Sequence, residues 1–105
     1  MSRTNSFLTL DPELTIVAWT AGVADIFGYE PAEILGRPVF ALVPDDQRQA
    51  AADVLAKTVT EGRVAGFATQ RLTKSGGRIN IVADLLAIRS EDGKHRATQI
   101  TVRRV

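Results

Sequence analysis

The alternation of apolar and polar positions switches from a strand period to a helix period and back again. Phe7-Leu8-Thr9-Leu10 is a short alternating apolar run, and Asp11-Pro12-Glu13 ends it with turn-forming residues. Leu14-Thr15-Ile16-Val17-Ala18-Trp19 is rich in β-branched and aromatic side chains and predicts a second strand, so the two form an antiparallel hairpin. Thr20 is placed to N-cap a short helix over Ala21–Phe27, with Gly28 able to take the left-handed conformation that ends it. Pro31 suits the first position of another short helix, Pro31–Leu35, closed by Gly36. One more helical turn is expected over Val39–Val43.

The longest helix is predicted to open at Pro44-Asp45-Asp46, run to about Thr60 and stop at Gly62. Ala50, Ala51, Val54, Leu55, Thr58 and Val59 follow the three-and-four spacing of one helix face. Gln47, Arg48, Asp53 and Lys57 take the wet side. Strands return over Val64–Thr73, Arg78–Ile88 and Ala97–Val102. Lys74-Ser75-Gly76-Gly77 and Ser90-Glu91-Asp92-Gly93 supply the turns between them. Strand pairs at both ends with helices between them give an α+β fold, an antiparallel sheet with helices on one face.

Composition narrows the functional classes. The chain of 105 residues fits a single domain, residues 1–105, with room for one core. Thirteen Lys+Arg against twelve Asp+Glu leave a net charge of +1, which is no footprint for nucleic acid or an anionic membrane. No apolar run approaches the roughly 20 residues that cross a bilayer. The opening Met1-Ser2-Arg3-Thr4-Asn5-Ser6 lacks the apolar core of a signal peptide, so a cytoplasmic home is the default. Without cysteine, disulfides, thiolate catalysis and Cys-ligated metals are excluded.

Catalytic readings fail on inventory, and the chain is read as not an enzyme. One histidine, His95, sits beside the last turn and makes no Ser-His-Asp arrangement. Asp45-Asp46 is better explained by the positive end of a helix than by paired catalytic carboxylates. Gly76-Gly77 lacks the following helix of a phosphate loop. No cluster of His, Cys or carboxylates suits a metal.

The element order and several motifs together resemble the PAS family over nearly the whole chain. Phe27-Gly28-Tyr29-Glu30-Pro31-Ala32-Glu33-Ile34-Leu35-Gly36-Arg37-Pro38 is close to that family's helix-turn signature, and Leu42-Val43-Pro44-Asp45 falls at its entry to the long helix. Lys74-Ser75-Gly76-Gly77 resembles its turn between the third and fourth strands, and Ile88–Gly93 its last hairpin. The resemblance implies a five-stranded antiparallel sheet with helices on one face. It also implies an ion pair between Glu33 and Lys74 that ties the helix layer to the sheet.

Departures from the pattern bear on cofactors. The light-sensing flavin branch carries Gly-Arg-Asn-Cys, where this chain has Gly36-Arg37-Pro38-Val39. Ile81 stands where that branch holds the flavin ring with an amide. The haem branch needs a histidine on the long helix, and none lies between Pro44 and Gly62. These residues argue against haem and against a photoreactive flavin, and no cofactor is expected. Thr20 replaces the usual Asn before the first helix. Arg103-Arg104-Val105 stands in place of the Asp-Ile-Thr exit to a signalling helix, which implies a fragment or a free-standing module.

The family's ligands lie between sheet and helices. Inward positions, from the resemblance and strand alternation, are Trp19 with Val17, then Phe67, Thr69 and Arg71, then Ile79, Ile81, Ala83 and Leu85, then Thr98, Ile100 and Val102. Phe40 and Leu55 would close the helix side. These side chains either line a pocket or fill a solid core. A buried Arg71 needs a carboxylate, an anionic ligand or a route to solvent. Strict alternation puts Leu14, Ile16, Ala18, Val82, Leu86 and Ile88 on the outer face, more apolar than a sheet facing water should be. A homodimer through that face is expected. The implied function is a regulatory sensory module of a bacterial-type signalling protein, such as a sensor kinase or cyclase. It would bind a small molecule and signal to an output domain or partner protein. The alternative is a ligand-free dimerisation module.

Overall fold

A computed structural model describes residues 6–105 of the chain; Met1–Asn5, most of the opening segment read above, lie outside the described residues. The order is β1 (Phe7–Leu10), β2 (Ile16–Trp19), α1 (Ala21–Phe27), α2 (Pro31–Ile34), two 3₁₀ turns (Val39–Leu42 and Asp45–Gln47), α3 (Arg48–Glu61), β3 (Arg63–Leu72), β4 (Arg78–Arg89) and β5 (His95–Arg104). The five strands form one antiparallel sheet in the order β2-β1-β5-β4-β3. α3 packs across β3, β4 and β5, while α1 meets β1 and α2 meets β2. The α+β architecture is the one expected.

Alternation holds along most of β4 and β5. Ile81, Ala83 and Leu85 on β4 and Thr98, Ile100 and Val102 on β5 are buried. The buried stripe of α3 is Ala51, Val54, Leu55 and Thr58, a three-and-four repeat facing the sheet. Ala50, expected on that stripe, is exposed, and Val59 is half-buried. The helix proper starts at Arg48, because Asp45–Gln47 form a tighter 3₁₀ turn. Asp46 spends its charge on Arg78 of β4 at 2.7 Å rather than on the end of α3. Arg89 of β4 donates to the Val59 carbonyl near the far end of α3. The helix is thus held to the sheet by a polar contact near each end.

The second strand departs from strict alternation. Thr9 pairs with Ala18 but Leu10 pairs with Ile16, so Val17 is an extra residue in a β-bulge. The bulge turns Ile16 and Trp19 to the same face. Ile16 is therefore wholly buried in the core, and Val17 is 51% exposed, the reverse of the expected assignment. Leu14, expected on the outer face of this strand, precedes it. It takes φ 68° in a loop where Asp11 Oδ1 accepts the Glu13 and Thr15 amides, and its side chain packs against the core. Ala18 stays opposite Thr9 and is half-buried. The outer edge of β2 is not left open. Ile16 N–H donates to Arg37 O and Gly36 N–H to Ile16 O, both at 2.9 Å, so the chain after α2 covers it.

Thr20 occupies the N-cap position of α1 but makes no side-chain capping bond to it. Its hydroxyl instead accepts the Phe7 amide and donates to the Phe7 carbonyl, joining the ends of β1 and β2. Trp19 packs against Phe27 with ring centroids 5.7 Å apart and donates its Nε1–H to the Tyr29 carbonyl. Glu33 pairs with Lys74, as expected. Its other oxygen accepts the Glu30 amide, completing a capping box on α2. The Lys74 amide donates to Phe27 O at 2.9 Å, so the β3–β4 turn is sewn to the ends of both short helices.

The bulge predicts opposite outcomes at adjacent residues. Ile16→Ala should lower unfolding free energy by about 2–5 kcal/mol, the range for emptying a packed site. Val17→Ala should stay within about 0.5 kcal/mol, as for a surface position. Urea denaturation of both variants checks this, and equal losses would contradict the bulge.

The Glu33–Lys74 pair predicts a pH window. Hydrogen bonding to Lys74 holds the Glu33 carboxyl below its ordinary 4.5, and hydrogen bonding to Glu33 raises the Lys74 ammonium above its ordinary 10.5. The depressed acid contributes stability that is lost as pH falls below 4.5; the raised base contributes stability that is lost as pH rises above 10.5. A double-mutant cycle of Glu33→Gln and Lys74→Met should show coupling at neutral pH that fades on acidification. Coupling independent of pH would contradict the pair.

Candidate functional site: a small cavity between sheet and helices

The inner face of the sheet and the helical layer do not meet without a gap. A cavity of about 40 Å³ lies between them. Ile81, Ala83 and Leu85 of β4 and Ile100 and Val102 of β5 line it from the sheet. Ala51, Val54 and Leu55 of α3 line it from the helices. Val39 and Leu42 of the first 3₁₀ turn, and Val43 just after it, close it, with Leu8, Phe27 and Phe67 also in the lining. A water needs about 10–15 Å³ of such space. The cavity holds a few waters or a very small organic molecule, well below the roughly 300–1,000 Å³ of drug-sized sites.

Of the expected pocket residues, Leu55, Phe67, Arg71, Ile81, Ala83, Leu85 and Ile100 line this cavity, and Trp19, Phe40 and Thr69 do not. Trp19 is buried nearby in its stack with Phe27. Phe40 is half-buried beneath the Arg48 guanidinium, 5.5 Å from its ring centre. Thr69 serves the polar network around Arg71 instead. Beyond Phe27, which ends α1, and Val102, an expected inward position of β5, the other lining residues fall into two groups. Leu8, Ala51 and Val54 lie on inward stripes that periodicity exposes. Val39 and Leu42 lie in a short 3₁₀ turn and Val43 just past it, where no repeat is long enough to assign a face.

Arg71 is the one charged side chain in the lining. Burial pushes its pKa down to about 10, so it remains a cation at neutral pH. Its Nη1 donates to the Gln70 carbonyl at 2.7 Å and to Thr69 Oγ1 at 3.0 Å. Thr69 Oγ1 in turn donates to Gln47 Oε1 at 3.2 Å, linking β3 to the start of α3. Among the described residues the ion pairs are Arg48–Asp45, Lys74–Glu33 and Arg78–Asp46, and none involves Arg71. Asp46, next to Gln47, is already engaged by Arg78.

The rest of the chemistry is structural. His95, half-buried at the start of β5, makes a 3.0 Å hydrogen bond to the hydroxyl of buried Thr98. No group of three His, Cys, Asp or Glu suited to a metal occurs among the described residues. No helix among them is long and apolar enough to cross a membrane. The lining lacks the groups that a photoreactive flavin uses. It offers apolar side chains and a guanidinium, with no amide side chain and no cysteine. The outer face of the sheet carries Leu86 and Ile88, both exposed, with Val82 half-buried between Asp84 and Asn80. Ile16 is absent from that face, and Val17 stands on the exposed side of β2 instead.

The geometry has close structural counterparts. A PAS domain from Colwellia psychrerythraea superposes with a TM-score of 0.87 at 22% identity, covering 96% of this chain and 86% of that one. The Drosophila melanogaster Cycle PAS-B domain, solved with bound ethylene glycol, gives 0.85 at 12% identity, covering 94% and 98%. The blue-light photoreceptor Aureochrome1 LOV in its light state gives 0.81 at 20% identity, covering 96% and 81%. No curated protein matches the chain. The family model of the PAS fold matches residues 2–105. With that match over nearly its entire length, and with the sheet order and helical layer described above, this chain belongs to the PAS family of sensory and signalling modules.

Proposed function

We propose that this chain is a non-enzymatic regulatory sensor. It takes a small molecule into the cavity between sheet and helices and passes its occupancy to a partner through the outer face of the sheet. The observation that carries the reading is the cavity itself. Protein interiors are packed as densely as organic crystals, so a gap bounded by a cation and apolar walls is a departure that a ligand fills. The output belongs to a partner or a fused domain, such as a sensor kinase or cyclase, within a bacterial-type cytoplasmic signalling protein. The small volume also favours a second reading, in which the module binds nothing and serves only for dimerisation.

Native mass spectrometry of freshly purified protein, beside an Ala83→Leu variant, separates the two readings. Ala83 is buried in the cavity wall, so the larger side chain fills the space. A small adduct on the parent chain that Ala83→Leu lacks supports sensing; bare masses for both support the dimerisation reading. The protein is expected to be colourless, because the cavity is small, Ile81 is apolar and cysteine is absent. An absorbance band above the aromatic region would overturn that expectation.

The partner surface is proposed to be a two-fold contact of outer sheet faces between two copies of the chain. Leu86 and Ile88 are 49% and 39% exposed there, while Gln99, Thr101 and Arg103 on neighbouring β5 make the patch amphipathic. Leu86→Lys with Ile88→Lys should give a folded monomer by sedimentation. A wild-type chain that sediments as a monomer at high concentration, or a variant that still dimerises, would rule this interface out.

A further inference from the structure

We propose that the cavity is a site for a small organic monocarboxylate, with the Arg71 guanidinium as its counter-charge; this rests on the reading of the cavity as the sensory site. Arg71 lines the cavity and carries a charge that no carboxylate of the described residues neutralises. Only Nη1 is occupied, by a carbonyl and a hydroxyl, so Nε and Nη2 meet no acceptor among the described residues. A planar guanidinium is satisfied best by a planar anion with two oxygens.

The remaining walls set the rest of the chemistry. Leu55, Ile81, Leu85 and Ile100 present hydrocarbon, which suits a short alkyl chain. A second carboxylate or a phosphate dianion would leave uncompensated charge against those side chains, which is costly. The volume of about 40 Å³ is the space of roughly three waters, so it favours the shortest carboxylates, of about two to four carbons. Thr69 Oγ1 and the Gln70 carbonyl already accept from Nη1, so an anion would take Nε and Nη2 and leave in place the Thr69–Gln47 bond between β3 and the turn before α3.

The test uses the whole chain and three kinds of probe at fixed ionic strength. These are butyrate and propionate, the neutral butyramide and 1-butanol, and the dianion succinate. Calorimetry and thermal shift are read on wild type, Arg71→Met and Arg71→Lys. Butyrate and propionate should bind and raise the melting temperature, with butyramide and succinate at least about tenfold weaker. Arg71 is half-buried, so Arg71→Met should weaken butyrate about tenfold or more, as for loss of a charge-assisted hydrogen bond. Arg71→Lys should fall between. If neutral probes bind as tightly as butyrate, the cavity is a site but the carboxylate assignment is overturned. If no probe binds while native mass spectrometry shows an adduct, the carboxylate assignment falls and the sensory reading stands; if no probe binds and the masses are bare, both fall. Should Arg71→Met fail to fold, the comparison of butyrate with butyramide on wild type decides the question alone.

Discussion

The sheet presents a wide apolar inner face, and among the described residues the segments that cover it are short. α1 has seven residues, α2 has four, and the 3₁₀ turns have four and three. Isolated helices under about 12–15 residues are marginal in water, so these pieces gain their stability from packing on the sheet rather than from their own hydrogen bonds. Even α3, at fourteen residues, faces the sheet with only Ala51, Val54, Leu55 and Thr58 buried. The helical layer and the sheet therefore stand or fall together. The specific ties follow from that need: Trp19 to the Tyr29 carbonyl, Lys74 to Glu33 and to the Phe27 carbonyl, Asp46 to Arg78, and Arg89 to the Val59 carbonyl.

A layer held in this way need not fit everywhere. Where α3 and the first 3₁₀ turn cross β4 and β5 the fit is incomplete, and the cavity results. Its walls are apolar except for Arg71, which is kept hydrogen-bonded but not charge-paired. Filling the cavity would add contacts to both layers at once. Because the short helices depend on those contacts, occupancy can alter how firmly the helical layer is held. The sheet is common to the cavity wall and the exposed outer face, since Val82 and Leu86 alternate on β4 with Ala83 and Leu85. In the proposed sensory reading, that sharing is the route from ligand to partner.

Much of this was legible in the residue pattern. Period-two alternation on β4 and β5 assigned Ile81, Ala83, Leu85, Ile100 and Val102 inward, and the PAS resemblance supplied the Glu33–Lys74 pair. The errors have local physical causes. A single extra residue in β2 inverts every assignment made by counting from one end, which is why Ile16 and Val17 exchanged places. Leu14 left the strand because Asp11 captures two amides of the loop, a competition that periodicity does not register. The 3₁₀ turn that closes the cavity is too short for a hydrophobic repeat. Thr20 was read as a cap, and its hydroxyl serves the neighbouring strand instead.

Native-state hydrogen exchange with and without butyrate tests most directly whether the cavity governs the helical layer. Occupancy should slow exchange in α3 and in the turn Val39–Leu42 by more than it slows the paired amides of β4 and β5. Uniform slowing across the chain, or unchanged exchange in α3 at saturating butyrate, would contradict the coupling of ligand to helices.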